Sequence, residues 1–181
     1  DIHKFIPDNH NRLWYKYEVL TDKITNIPEM KKIFILLLML LPLAAAAKNR
    51  IIISKKQLHL YVVNEANDTI FDCPVAGGIN YGTKKRAGDH KTPEGEFTIK
   101  MMYDASSWKY DFGDGQGMRV GAYGPYFFRL KVPGFNDIGI HGTIFPESIG
   151  TRSSRGCIRL KNEDIKKLYP LCRTGMTVVI E

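Results

Sequence analysis

Residues His141 to Leu160 read HGTIFPESIGTRSSRGCIRL. A histidine followed by glycine leads into a loop, and the loop ends on a cysteine set between Gly156 and Ile158. A thiol nucleophile needs an accessible sulfur, a base for its proton, and N–H donors facing the oxyanion formed when a carbonyl is attacked. Gly156 tolerates backbone angles that other residues avoid, which frees neighbouring amides to point into a site. Arg155 and Arg159 flank the cysteine, and positive charge favours thiolate. Taken singly, a histidine is more often a satisfied structural residue and a cysteine a small buried hydrophobe. Their co-occurrence with glycines and arginines is what points to chemistry.

Outward from this stretch the pattern is that of a β protein. Ile138–Gly142 (IGIHG) predicts a strand that ends on His141. Arg50–Ser54 and Leu58–Val63 predict a hairpin split by Lys55, Lys56 and Gln57, with Leu58, Leu60 and Val62 on one face. Thr69–Gly78 continues the meander into glycines. Glu96–Tyr103, Tyr126–Val132 and Met176–Glu181 are further strands. One helix is signalled late: Asn162 as its cap, Glu163 and Asp164 at its positive end, Ile165, Leu168 and Tyr169 on one face, and Pro170 closing it. Many short strands with one helix predict an antiparallel-rich sheet or sandwich.

The chain of 181 residues carries a formal charge of +7, with 26 Lys and Arg against 19 Asp and Glu. That size accommodates one domain with a real core. The basic residues are scattered, without a basic run or helix, so a carboxylate-rich envelope polymer fits the charge as well as nucleic acid does, and charge alone names no partner. Met30–Ala47 (MKKIFILLLMLLPLAAAA) has a basic start, a short apolar run and small residues ending in Ala45–Ala47, the layout of a secretory signal. The run is shorter than the roughly 17–25 residues of a membrane span. The expectation is therefore a signal peptide over 30–47, an exported mature domain over 48–181, and no stable membrane anchor after cleavage. Residues 1–29 precede Met30 and are expected to be upstream translated sequence. Of three cysteines, Cys73 and Cys172 can either bridge or remain reduced and buried.

Other motifs fail on inspection. Ala76–Gly82 (AGGINYG) has glycines but no following helix and no Gly-Lys-Ser/Thr, so it reads as a turn. Asp111–Gly117 (DFGDGQG) lacks the closing glutamate of a calcium loop and reads as a surface loop. Without CxxC or His-x-x-x-His, no metal site is expected.

At this point the chain resembles the L,D-transpeptidase catalytic domain of bacterial cell-wall enzymes. HGT at His141–Thr143 and SRGCIRL at Ser154–Leu160 match the family pattern in order and spacing. Gly88–Ile99 (GDHKTPEGEFTI) looks like its Thr-Pro-x-Gly-x-Phe segment. The resemblance covers about residues 50–181 and implies a mainly β fold, a β-sandwich or mixed sheet with one or two short helices and a catalytic cleft. It implies Cys157 as nucleophile, His141 as base and the Gly142 carbonyl as the group orienting the imidazole. Backbone N–H groups of Arg155, Gly156 and Cys157 would form the oxyanion hole. Arg159, Ser154, Thr143 and Tyr126 would contact substrate. Arg155 stands where many relatives carry histidine.

The resemblance further implies ping-pong acyl transfer on peptidoglycan tetrapeptide stems in the periplasm or cell envelope, without cofactor or metal. Cys157 would release the terminal D-alanine, and a stem amine would form a 3→3 crosslink. A protein amine of the envelope is an alternative acceptor. Water as acceptor would make the enzyme an L,D-carboxypeptidase. A non-catalytic wall-binding homologue and a different exported thiol enzyme, such as a sortase-like transpeptidase, are the competing readings.

Overall fold

The computed structural model describes residues 48–181. The signal-like segment 30–47 and the stretch 1–29 lie outside the described residues. Of the two architectures expected, the chain adopts the mixed sheet. β1 (Arg50–Ser54) and β2 (His59–Val63) form the predicted hairpin, with Ile51 opposite Val62 and Ile53 opposite Leu60. β3 (Thr69–Pro74) extends the meander beside β2. On the other side of β1 lies β12 (Thr177–Ile180), in parallel, and β12 pairs antiparallel with β5 (Gly95–Asp104). β8 (Tyr126–Leu130) follows β5, then β9 (Gly139–His141), and β11 (Ile158–Arg159) closes the row parallel to β9.

This eight-stranded sheet curls until its two ends approach. An antiparallel bridge joins Ala76, just past β3, to Arg159 of β11, with reciprocal N–H···O bonds of 2.9 Å. Two small pairs complete the topology. β4 (Gly77–Gly78) runs parallel to β10 (Arg152–Ser154), and β6 (Lys109–Asp111) forms a hairpin with β7 (Met118–Val120).

Period-2 alternation decides which side chains enter the core. Ile51 and Ile53, Leu60 and Val62, Phe128 and Leu130, Val178 and Ile180 all face inward and are buried. On the strands nearest the candidate site, Ile140 and Ile158 join that core. Their neighbours His141 and Arg159 necessarily leave the sheet on the opposite face. A single strand pair thus separates packing from chemistry.

The helix α1 (Asn162–Leu168) seals the core with Ile165 and Leu168. Its cap differs from the expectation. Lys161 is the N-cap residue and no side chain caps the helix. Asn162 instead turns its Oδ1 outward to accept the Thr143 N–H at 2.9 Å, tying the helix to the chain just past β9. Tyr169 and Pro170 do end the helix, in a short 3-10 turn. Cys73 and Cys172 are free thiols packed in or against the core, so the reduced alternative holds in this structure. Among the described residues, no helix is long and apolar enough to cross a membrane.

Candidate active site

Three backbone features bring the histidine and cysteine together. β9 ends on His141, and β11 pairs with it so that Ile158 faces Ile140 and Arg159 faces His141. Cys157, one residue before β11, therefore shares a face with Arg159 and His141. Both His141 and Cys157 line one cavity of about 290 Å³, together with Tyr110, Tyr123, Arg155 and Arg159.

The imidazole is held on all sides. Its Nδ1 lies 2.6 Å from the Gly142 carbonyl. A carbonyl oxygen can only accept, so Nδ1 carries the hydrogen and Nε2 is left as the basic nitrogen. Phe127 lies flat against the ring at 5.4 Å, and Tyr123 meets it edge-on at 5.0 Å. Burial among these rings pushes the His141 pKa down to about 4, and the nearby Arg159 charge lowers it further against the opposing Gly142 hydrogen bond. The imidazole is thus neutral at ordinary pH, the state a proton acceptor requires.

The thiol is half-buried and donates to the Asp137 carbonyl at 3.3 Å. Burial raises its pKa to about 11, and the Asp137 charge also raises it. The Gly139 N–H, Arg159 and Lys84 act in the other direction. At rest the pair is a neutral thiol beside a neutral imidazole, and transfer of the proton must accompany attack.

Glycines in this region make room rather than flexibility. A Cβ on Gly142 would sit 3.0 Å from the Gly124 Cα and 3.1 Å from the Pro125 Cδ, besides colliding with Asn162. Gly156 has φ +130° and faces the Lys91 carbonyl, 2.9 Å from where its Cβ would be. Lys91 belongs to the Thr-Pro-x-Gly segment, which explains the presence of that motif. Asp89 fastens this segment by accepting the N–H groups of Lys85, Arg86 and Lys91 and the Lys84 ammonium. Thr92 Oγ1 accepts the Gly78 N–H at 2.9 Å. The motif is therefore the wall behind the cysteine loop.

Not every expected site residue faces the cavity. The Gly156 N–H donates to Ser154 Oγ at 3.0 Å, so in this structure it does not face the cavity as an oxyanion donor. Ser154 also donates to the Cys157 carbonyl at 2.6 Å, so it shapes the loop around the sulfur while lining the cavity. Thr143 does not line the cavity: it is buried, with its N–H on Asn162 and its Oγ1 accepting the Phe145 N–H. Tyr126 faces the wrong way for substrate. It shares a face with Phe128 rather than Phe127, and stacks on Tyr169 at 4.1 Å.

The residues that the sequence did not single out individually are Tyr110, Phe112, Tyr123 and Asp137. All but Asp137 fall within the aromatic, glycine-rich stretch Ser106–Tyr126, of which Asp111–Gly117 reads in sequence as a surface loop. The β6–β7 hairpin makes it a wall. Arg155 ties it down, donating to the Tyr110 hydroxyl at 2.7 Å and approaching the Phe112 carbonyl at 3.4 Å. Among the described residues there is no cluster of three side chains suited to hold a metal ion.

Comparison with known proteins bears on family and fold. Residues 48–180 match the family model for the L,D-transpeptidase catalytic domain, YkuD. The chain is 30% identical over 138 residues to the probable L,D-transpeptidase YbiS of Escherichia coli, an overlap of 71% of this chain and 43% of that protein. The chain thus spans less than half the length of that relative. Among solved structures it is similar to the helical cell shape determining protein Pgp2 from Campylobacter jejuni, at 25% identity and a TM-score of 0.55, covering 74% of this chain and 47% of that one. The catalytic domain of the Enterococcus faecium L,D-transpeptidase shares the fold at 19% identity and a TM-score of 0.54, covering 76% of this chain and 100% of that one. Carrying the family's domain from residue 48 to 180, with its histidine and cysteine on one cavity, the chain belongs to the L,D-transpeptidase catalytic domain family.

Proposed function

We propose that this protein is an exported acyltransferase that uses Cys157 as nucleophile on peptidoglycan tetrapeptide stems. The observation that carries the reading is a single cavity lined by the Cys157 thiol and a neutral His141 whose Nδ1 is occupied by the Gly142 carbonyl. His141 Nε2 takes the thiol proton as the sulfur attacks the carbonyl of the third stem residue. The C–S bond forms, and the oxyanion is met by the Cys157 and Arg155 amides. Collapse breaks the bond to the terminal D-alanine, whose nitrogen receives the proton from the imidazolium. A stem amine then attacks the thioester: a C–N bond forms, the C–S bond breaks and the sulfur recovers its proton. The product is a 3→3 crosslink when the acceptor is a neighbouring stem.

Arg159 stands beside His141 on the parallel strand and lines the cavity, which supports a role in holding a substrate carboxylate. The signal-like segment over 30–47 supports export to the periplasm or cell envelope. The test is incubation with purified tetrapeptide stems, scoring released D-alanine, 3→3 dimers and free tripeptide by mass spectrometry. Dimers are expected. Tripeptide alone would make the enzyme an L,D-carboxypeptidase, and no D-alanine release would overturn the reading.

A further inference from the structure

One buried charge near the cysteine loop takes no part in the chemistry described above. Lys84 lies between β4 and β5 and is 8% exposed. Lysine is almost never covered to that degree without partners. Its Nζ lies 3.1 Å from Asp89 Oδ1, with both side chains nearly closed off from solvent. The same ammonium stands 5.0 Å from the centre of the Phe135 ring. Apolar groups in place of a buried ion pair are often neutral or stabilising, so stability alone does not account for a charge here.

Each partner leads to Cys157 by its own route. Asp89 also accepts the Lys91 N–H at 3.1 Å, and the Lys91 carbonyl packs against Gly156, the residue before the cysteine. Phe135 closes the turn after β8, its N–H donating to the Val132 carbonyl at 3.1 Å. Two residues on, the Asp137 carbonyl accepts the Cys157 S–H at 3.3 Å. The Lys84 ammonium thus ties the segment behind the cysteine loop to the turn that receives the thiol hydrogen. The other charged or titratable groups facing the sulfur are Arg155, Arg159, Asp137, His141, Tyr110 and Tyr123, and all of them line the cavity. Lys84 does not line it. Burial raises the thiol pKa, and Lys84 joins the Gly139 N–H and Arg159 in opposing that rise.

We propose that Lys84 is a positioning residue for the nucleophile: its buried ammonium clamps the wall behind the cysteine loop to the Phe135–Asp137 turn and supplies a fixed positive charge that favours the developing thiolate. The inference rests on the acyl-transfer reading above. A charge already in place needs no reorganisation as the proton leaves the sulfur. In that step the S–H bond breaks, His141 Nε2 gains the proton and the sulfur bonds to the substrate carbonyl carbon. The Lys84 ammonium neither gives nor takes a proton. Asp89 partly offsets its charge, so the two members of the pair carry opposite expectations.

The test is the rate at which iodoacetamide modifies Cys157 in the full chain at about pH 8, where that rate follows the thiolate fraction. Mass spectrometry of the Cys157 peptide reads it apart from Cys73 and Cys172. Lys84→Gln keeps a donor for Asp89 but removes the charge, and it should slow modification by roughly three- to tenfold, a shift of about half to one pH unit. Lys84→Arg keeps the charge and should stay within about twofold. Asp89→Asn removes the opposing charge and should react as fast as the unaltered chain or faster. A merely structural clamp gives another pattern: loosening it hydrates the thiol, brings it from about 11 back toward 9.0, and speeds modification in every variant. Lys84→Gln reacting as fast as the unaltered chain overturns the inference, as does slowing in Asp89→Asn. Should a melting curve show Lys84→Gln unfolded, Asp89→Asn and Lys84→Arg decide, and slowing of either overturns it. On tetrapeptide stems Lys84→Gln should lower kcat for D-alanine release and leave KM unchanged, because Lys84 lies outside the cavity; a loss confined to KM counts against the inference. Absence of D-alanine release from the unaltered chain instead defeats the parent reading, while the modification rates still decide this one.

Discussion

Cys73 and Cys157 stand near the two edges of one curled sheet, and burial acts on both in the same direction. It raises Cys73 to about 12 and Cys157 to about 11. Desolvation therefore does not distinguish them. Cys73 is 3% exposed on the inner face of β3, opposite Leu60, and after burial the charges of Asp164 and Asp72 further oppose its ionisation. Cys157 meets the Gly139 N–H, the charges of Arg159 and Lys84, and an imidazole in a cavity open to substrate. On the proposed reading, what would make Cys157 rather than Cys73 the nucleophile is the set of groups that stabilise its charge at the moment of attack, together with a route to it.

The largest effect that tests this contrast is removal of each sulfur. Cys157→Ala should lower transfer by roughly 10³-fold or more and abolish the mass adduct formed with a carbapenem. Cys73→Ala should keep that adduct and lower the melting temperature, in keeping with a lost core contact of about 1 kcal/mol. An adduct on Cys73 in the Cys157→Ala protein would erase the distinction.

Next in size is the proposed base. His141→Gln should cost roughly 10²–10⁴-fold in acylation. Because burial holds the His141 pKa at about 4, the imidazole remains a proton acceptor down to that pH, and the acid limb of the acylation rate should fall there. A limb at the ordinary histidine value would mean that water reaches the ring.

A smaller effect concerns stability in alkali. Cys73, Cys157 and Cys172 are raised in the fold to about 12, 11 and 12, above the ordinary value of 9.0. Above that ordinary value the unfolded chain ionises its thiols while the fold cannot, so stability should decline as pH rises from 9.0 toward 12. Thermal melts across this range should fall less steeply for Cys73→Ala than for the unaltered chain. Equal slopes would mean that Cys73 ionises freely in the fold.

The smallest effect contrasts two tyrosines on opposite faces. Tyr126→Phe keeps the stack on Tyr169 and should leave transfer within about twofold, as expected of a substitution away from the site. Tyr123→Ala, which strips a ring from the imidazole and from the cavity wall, should lower it by more. Measured kcat/KM values for the two variants decide the matter, and a larger loss at Tyr126 would reverse the assignment of faces.

Much of this molecule was legible before any coordinates. The β1–β2 hairpin follows from alternating Ile and Leu around Lys55–Gln57, because period 2 is a property of each strand alone. The helix from Asn162 and its stop at Pro170 were equally plain. His141 and Cys157 stood out as candidates because of the glycines and arginines beside them, since glycine admits unusual backbone and a positive charge favours thiolate. The destination of each donor was less so. Asn162 looks like a helix cap in sequence, yet its amide oxygen serves Thr143, nineteen residues away.

By itself the sequence determined the longer strands and the helix, which of their residues alternate inward, and which histidine and cysteine are candidates for chemistry, while the short strands β6, β7, β10 and β11 escaped it. These are local properties, set by side-chain shape, backbone freedom and the two-residue repeat. Only the tertiary structure decided that Tyr123 rather than Tyr126 walls the cavity, that Ser154 takes the Gly156 N–H, and that Arg129 lies over the rings of Tyr103 and Phe127. Those outcomes depend on strand register and on the curl of the sheet, which bring together groups far apart in the chain, and no local pattern encodes a register between distant strands.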